Sequence, residues 1–401
     1  MEASGLKRHI IILALAQGLL TLNNVTLIAI NGLAGLLLAP NATWATLPVA
    51  AFVAGAALAT LPASFYMLRH GRQKGFRLGA LLGLLGGLLA MLGVMEQIFA
   101  LICLGSLLSG FHNAFGQQYR FAAADVAPEA WKSRAISWTL AGGILGGVLG
   151  PELSKITRDL IPPLFAASYG SLTLFTLLAW WVLGRLELPP LHKERFATPG
   201  RPAWRIVTQP VYLVAVLAST TGYGVMNLLM SATPLVMQAC SLPFGDAAFV
   251  LEWHVLGMFV PSFFTGSLIH RFGVLRVLLA GVLLLFGCGA IALAGQTLAY
   301  FWWALLLLGI GWNFLYIGGT TLLTTTYRPE EKAHAQGFHD LVIFGVQTMT
   351  ALSSGMIATT SGWDGLNRDA LPAIAVTTLA ILWLMIRRPS LDAAAMGRGA
   401  G

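Results

Sequence analysis

Twelve apolar stretches divide this chain, each long enough to cross a bilayer, and almost every lysine and arginine lies in the segments between them. Crossing about 30 Å of hydrocarbon takes roughly 20 apolar residues in a helix, since the backbone must bond within its own segment there. The stretches cover 9–38, 43–68, 75–95, 97–122, 131–155, 162–185, 209–238, 246–269, 274–295, 298–326, 336–360 and 370–387. Only 10% of the residues are charged, against about a quarter in a soluble domain. The chain therefore reads as an all-α membrane protein with twelve transmembrane helices.

The charges orient it. With the N-terminus inside, 21 of the 24 lysines and arginines face the cytoplasm, and only Lys155, Arg158 and Arg368 fall outside. Such a bias is the positive-inside pattern, so both termini are expected in the cytoplasm of a bacterial inner-membrane protein. The basic pI of about 9.7 then reports loops at a lipid bilayer rather than a nucleic-acid partner. Residues 1–186 and 209–401 form two six-helix bundles in this reading, joined by a cytoplasmic linker, 187–208, rich in Pro, Lys and Arg. The first stretch is too long for a cleaved signal segment and reads as a retained helix. Cys103, Cys240 and Cys288 form no CxxC pair and no disulfide framework.

The two halves repeat. Leu68-Arg69-His70-Gly71-Arg72 follows the second stretch, and Ile269-His270-Arg271-Phe272-Gly273 follows the eighth; Pro128-Glu129 and Pro329-Glu330 recur at the same separation, roughly 200 residues. The Gly266-Ser-Leu-Ile-His-Arg-Phe-Gly273 run resembles a loop motif of the major facilitator superfamily. Gly146-Gly147-Val-Leu-Gly150-Pro151 resembles its Gly-Pro motif. The resemblance spans the chain and implies the major facilitator fold. Leu68 and His270 stand where the motif's acidic residue is usual, so its charge relay is expected to be weak or built differently.

Met226, Met230, His254 and Met258 form two i, i+4 pairs, MNLLM and HVLGM, on consecutive stretches. Residues four apart share a helix face. Thioethers and imidazole suit a soft ion, and three neutral sulfurs with one imidazole favour Cu(I) over Zn(II). Counted from Gln238 and Asp246, both pairs lie roughly 12 and 18 Å deep, bracketing the midplane. Met91 and Met95 form an MxxxM with no histidine partner and read as packing. MxxxM followed by HxxxM resembles the CcoA-like (CalT) copper importers. That resemblance implies copper as the transported substrate, with no separate cofactor, and a role in supplying cbb3-type cytochrome oxidase assembly. Expected partners are a copper chaperone or copper-exporting ATPase downstream, and the chain is expected to be a monomer.

Asn23, His112, Asn113 and Asn313 are polar residues inside apolar stretches, which marks them as functional candidates. His112 is either a further metal contact or a proton acceptor, with a hydrogen-bonded core histidine as the plainer reading. Cys240 stands near the expected entrance as a capture thiol. The same family has members linked to riboflavin, and Trp312, Tyr316 and Tyr223 offer rings that could stack on a flat solute. No GxxxxGK[ST] loop is present, so the chain is read as a secondary transporter and not an enzyme.

Overall fold

The computed structural model describes residues 3–128, 132–188, 201–328 and 331–387, which are helix and connecting turns. In order they are α1 (Ala3–Leu38), a 3-10 turn (Ala42–Trp44), α2 (Leu47–His70), α3 (Arg72–Met95), α4 (Phe99–Gly116), α5 (Tyr119–Val126), α6 (Lys132–Thr157), α7 (Ala166–Leu183), α8 (Ala203–Val207), α9 (Pro210–Ala239), α10 (Phe244–Phe259), α11 (Ser262–Phe272), α12 (Val274–Ala294), α13 (Leu298–Leu323), α14 (Lys332–Thr360) and α15 (Gly362–Arg387). Among the described residues ten segments are long and apolar enough to cross a membrane, and α10 with α11 makes eleven. The twelfth expected span is α6, 26 residues long, whose Ser, Thr and Gly residues with Glu152 and Lys155 make it less apolar.

Several boundaries differ from the expected ones, each for a local reason. The last span begins at Gly362 rather than 370, because Asp364 and Arg368 lie on its first turns and pair at 3.8 Å. The sixth begins after Pro162-Pro163, at Ala166. The eighth is not one helix. Pro261 has no N–H to give to the preceding turn, and α10 and α11 meet there at 42°. The expected linker 187–208 lies mostly outside the described residues; its last part contains α8. The Pro128-Glu129 and Pro329-Glu330 repeats are likewise only partly within them.

The chain forms two units. Unit 1 comprises Met1–Lys193 with Ala247–Glu252, and unit 2 comprises Glu194–Asp246 with Trp253–Gly401. In unit 1, α1 packs on α6 and α7, α3 lies between α4 and α7, and α2 packs on α4. One end of its core is Leu13, Leu20, Phe76, Tyr119 and Leu183, with the Phe76 and Tyr119 rings edge to face at 4.8 Å. In unit 2, α9 packs on α13, α14 and α15, and α12 on α13 and α15.

The internal repeat is visible in the backbone. Gly71 ends α2 and starts α3 with φ +88° and ψ 155°, and Gly273 ends α11 and starts α12 with φ +90° and ψ 154°. Side chains are excluded from that region, so the turn requires glycine at both places. With Leu68 at the usual acidic position, the ion pair at this end of unit 1 is Arg72 Nη2 to Asp125 Oδ2, 2.6 Å, while Arg72 Nη1 donates to the Gln118 carbonyl at 3.2 Å. In unit 2 the start of α8 is clamped to the α13–α14 connection. Arg201 donates to both oxygens of the buried Glu331 carboxylate at 2.7 Å, and the Arg201 and Arg328 amides donate to it at 2.9 Å.

These donors hold Glu331 well below the usual carboxylate range. A depressed folded pKa stabilises the fold above the unfolded value, about 4.3, and that contribution disappears as pH falls below it. The wild-type melting temperature should therefore drop more steeply from pH 5 to pH 3 than that of Glu331→Gln, which should start lower. Parallel curves would refute the clamp. At the α10–α11 break, Asn313→Ala would orphan buried polar groups costing about 1–3 kcal/mol each. Its melting temperature should fall by several degrees, further than that of Thr321→Ala, whose hydroxyl only bonds its own helix.

Candidate transport site

The residues singled out in the sequence divide between the units. Asn23, His112 and Asn113 belong to unit 1, and Met226, Met230, Cys240, His254, Met258 and Asn313 belong to unit 2.

In unit 1 a small pocket is lined by Asn23, Asn24, Leu27, Gly83, Ser109, His112, Leu172 and Thr176. Asn23 donates to the Leu19 carbonyl at 3.0 Å and to Thr176 Oγ1 at 3.3 Å, leaving its own Oδ1 unpartnered. His112 is buried against α3, with the Gly79 backbone as its polar neighbour. Asn113 Oδ1 accepts from Asn24 at 2.8 Å and from Gln117 at 3.3 Å. Asn31, about two helix turns further along α1, donates to Ser106 and accepts from Tyr169.

In unit 2 the four metal candidates are all buried. His254 does not stand free. Its Nδ1–H donates to the Leu305 carbonyl of α13 at 2.7 Å, while Nε2 is buried without a partner. The backbones of α10 and α13 approach closely here, because a Cβ on Gly309 would collide with the His254 carbonyl. Asn313 is a structural residue. Its amide donates to the Met258 carbonyl at 2.7 Å and to Ser262 Oγ at 2.6 Å, and its oxygen accepts from Thr265 at 2.7 Å. It thereby takes up a carbonyl that the Pro261 break releases. The Cys240 thiol donates to Gln296 Oε1 at 3.2 Å, and desolvation raises its pKa. Among the described residues no three His, Cys, Asp or Glu side chains gather as a metal cluster.

The same helices build something else. Trp312 and Tyr316, four apart on α13, stack at 5.2 Å and 20°. Tyr223 of α9 sets its ring edge-on to both, at 5.1 and 4.9 Å. Phe259 of α10, which the sequence reading did not pick out, closes on Trp312 at 6.3 Å. The Trp312 indole N–H is buried with no acceptor. On α9, Met226 and Met230 fall within about 60° of Tyr223 around the helix axis at 100° per residue. Met226 and Met230 thus share the α9 face that carries Tyr223.

Buried amides and an aromatic cluster inside two bundles of membrane-length helices define a multi-pass membrane carrier, not an enzyme. A profile of the Major Facilitator Superfamily matches residues 11–338 and again 223–399. The chain belongs to that superfamily. It is 39% identical to the riboflavin transporter RfnT of Brucella anthropi over 384 residues, covering 95% of this chain and 96% of that one. It is 25% identical to the uncharacterised transporter YddS of Bacillus subtilis, covering 86% and 83%. Among solved structures it resembles a bacterial homologue of the human lysosomal transporter Spinster in an inward-facing, unoccupied conformation. The TM-score is 0.73, the identity 13%, and 99% of each chain is covered.

These likenesses correct the copper expectation. A relative sharing 39% identity over nearly the whole of both chains is a riboflavin transporter, whereas the copper reading rested on four side chains. Copper transport, and with it a role in cytochrome oxidase assembly, is therefore set aside. Cells expressing the chain should contain the same copper, by elemental mass spectrometry, as cells expressing His254→Ala. A rise with the wild type that His254→Ala abolishes would contradict this correction.

Proposed function

We propose that this chain imports riboflavin, or a closely similar flat heteroaromatic solute, across the bacterial inner membrane as a secondary transporter, with both termini in the cytoplasm. The structural observation that carries the reading is the stacked Trp312–Tyr316 pair of α13 edged by Tyr223 of α9. The isoalloxazine ring of riboflavin is flat and apolar on its faces, with carbonyl and nitrogen acceptors at its rim. Rings stack on such faces, and the unpartnered Trp312 N–H is a donor suited to a rim acceptor. The substrate class comes from the relative named for riboflavin transport, which matches nearly the full chain. Met226, Met230, His254 and Met258 then serve as wall and support for the ring cluster. The halves 1–186 and 209–401, joined by 187–208, would rock about the site in alternating access.

Uptake of labelled riboflavin by a riboflavin-requiring host that lacks its own importer tests this. Expression should give saturable uptake that excess unlabelled riboflavin suppresses. Stacking of a flat ring on an aromatic is worth about 1–3 kcal/mol. Trp312→Ala should therefore raise the apparent KM roughly tenfold to hundredfold, with Trp312→Phe much closer to wild type. No uptake with the wild type at normal membrane levels would refute the proposal.

A further inference from the structure

Three arginines of unit 1 converge without a carboxylate at the end where α1 and α3 begin and α7 finishes. Arg8 Nη2 donates to the Arg185 carbonyl at 3.4 Å. The Arg185 guanidinium lies 3.2 Å over the Trp181 ring and donates to the Trp181 carbonyl at 3.4 Å. The Arg77 guanidinium lies 4.0 Å over the Trp180 ring. It is also 3.9 Å from where a Cβ on Gly184 would stand, so it sits against the same helix end. Among the described residues no acid pairs with any of the three. Arg77 Nε is buried and has no partner.

Capping of α7 accounts for part of this arrangement. A helix C-terminus presents roughly half a negative charge, and Arg8 and Arg185 both reach its last carbonyls. Three full positive charges exceed that several-fold. Arg77 is the half-buried one of the three, with the Trp180 ring face against its guanidinium and its Nε unpartnered, while Arg8 and Arg185 are exposed. Among the described residues the cluster has no anionic partner.

The surface below it identifies the anion. Arg77, Leu81 and Leu85 follow one another at i, i+4 along α3, and Leu174, Leu177, Trp181 and Arg185 follow along α7. The intervening residues are exposed: Leu81 44%, Leu85 42%, Leu174 64%, Leu177 47% and Trp181 55%. In a chain of membrane-length helices, such rows face acyl chains. Both rows end on an arginine, and α3 packs on α7. An anion with an apolar tail fits the rows and the arginines together. A free anion would use only the arginines.

We propose that this end of unit 1 binds the phosphodiester headgroup of an anionic phospholipid, with Arg77 and Arg185 as the principal donors, Arg8 beside them, and the acyl chains along the α3 and α7 leucine rows. Arginine forks pair with two phosphate oxygens at once, and basic pockets between membrane helices bind such headgroups.

The test uses the full-length protein in mild detergent. Melting temperature and bound lipid, counted by native mass spectrometry, are followed while phosphatidylglycerol, phosphatidylcholine or inorganic phosphate is added. Phosphatidylglycerol should bind saturably and raise the melting temperature, and the other two should not. Arg77→Gln/Arg185→Gln should raise the half-saturating lipid concentration at least about tenfold, while Arg77→Lys/Arg185→Lys should lose less. Arg276→Gln, a surface arginine of unit 2 bonded to the Phe272 carbonyl at the end of α11, should match wild type. Bound lipid is counted on the folded, monodisperse fraction, so a poorly folding variant does not obscure the result. Equal binding by wild type and the glutamine variant, an equal effect of phosphatidylcholine, stabilisation by phosphate alone, or an equal loss in Arg276→Gln would each overturn the proposal. None of these outcomes depends on which solute the protein carries.

Discussion

Inside hydrocarbon there is no water to satisfy a backbone group, so any break in a helix must be repaired by the protein itself. The break at Pro261 is where this chain meets that constraint. Pro261 withholds an N–H, the helix turns by 42°, and the Met258 carbonyl is left for Asn313. Asn313 also takes Ser262 and Thr265, so one side chain of α13 fixes the geometry of both α10 and α11. Asn313 is flanked by Trp312, and Tyr316 follows one turn later. The residue that mends the broken helix thus sits in the same stretch as the rings of the candidate site.

The rest of unit 2 follows that junction. Leu305 accepts from His254 and Gly309 lets the two backbones touch, which sets α10 against α13 before the break. After it, Phe259 reaches Trp312. Through Nδ1, His254 is a strut between helices, and its Nε2 stays unpartnered. Met226, Met230 and Met258 are buried, and polarisable thioethers suit an apolar wall as well as they suit a soft ion. Spacing along one helix cannot distinguish these uses, because i, i+4 pairs mark a shared face whatever the face touches.

Much of the fold was legible because hydrocarbon acts on each helix separately. Apolar length alone gave the spans, and the Gly71 and Gly273 repeat appeared in the backbone as two turns of nearly identical torsion. The misreadings arose where a local rule competed with that length. Pro261 cut one apolar run in two, and Asp364 and Arg368 hid the start of α15. The site was less legible. Tyr223, Trp312 and Tyr316 were named from their ring chemistry, but their mutual packing depends on how α9 meets α13. Phe259 gave no signal at all, being one phenylalanine among 21. Asn313 was read as a functional candidate because a buried amide in sequence does not reveal whether its partner is a solute or a broken helix.

Exchange of riboflavin by the purified chain in liposomes tests the central claim most directly, since it removes host metabolism and other importers. Vesicles preloaded with unlabelled riboflavin should take up labelled riboflavin transiently when they contain the chain. Empty vesicles should not, and vesicles carrying Trp312→Ala should do so only weakly. A folded, correctly inserted chain that exchanges no riboflavin, or one whose exchange is indifferent to Trp312 and Tyr316, would contradict the account.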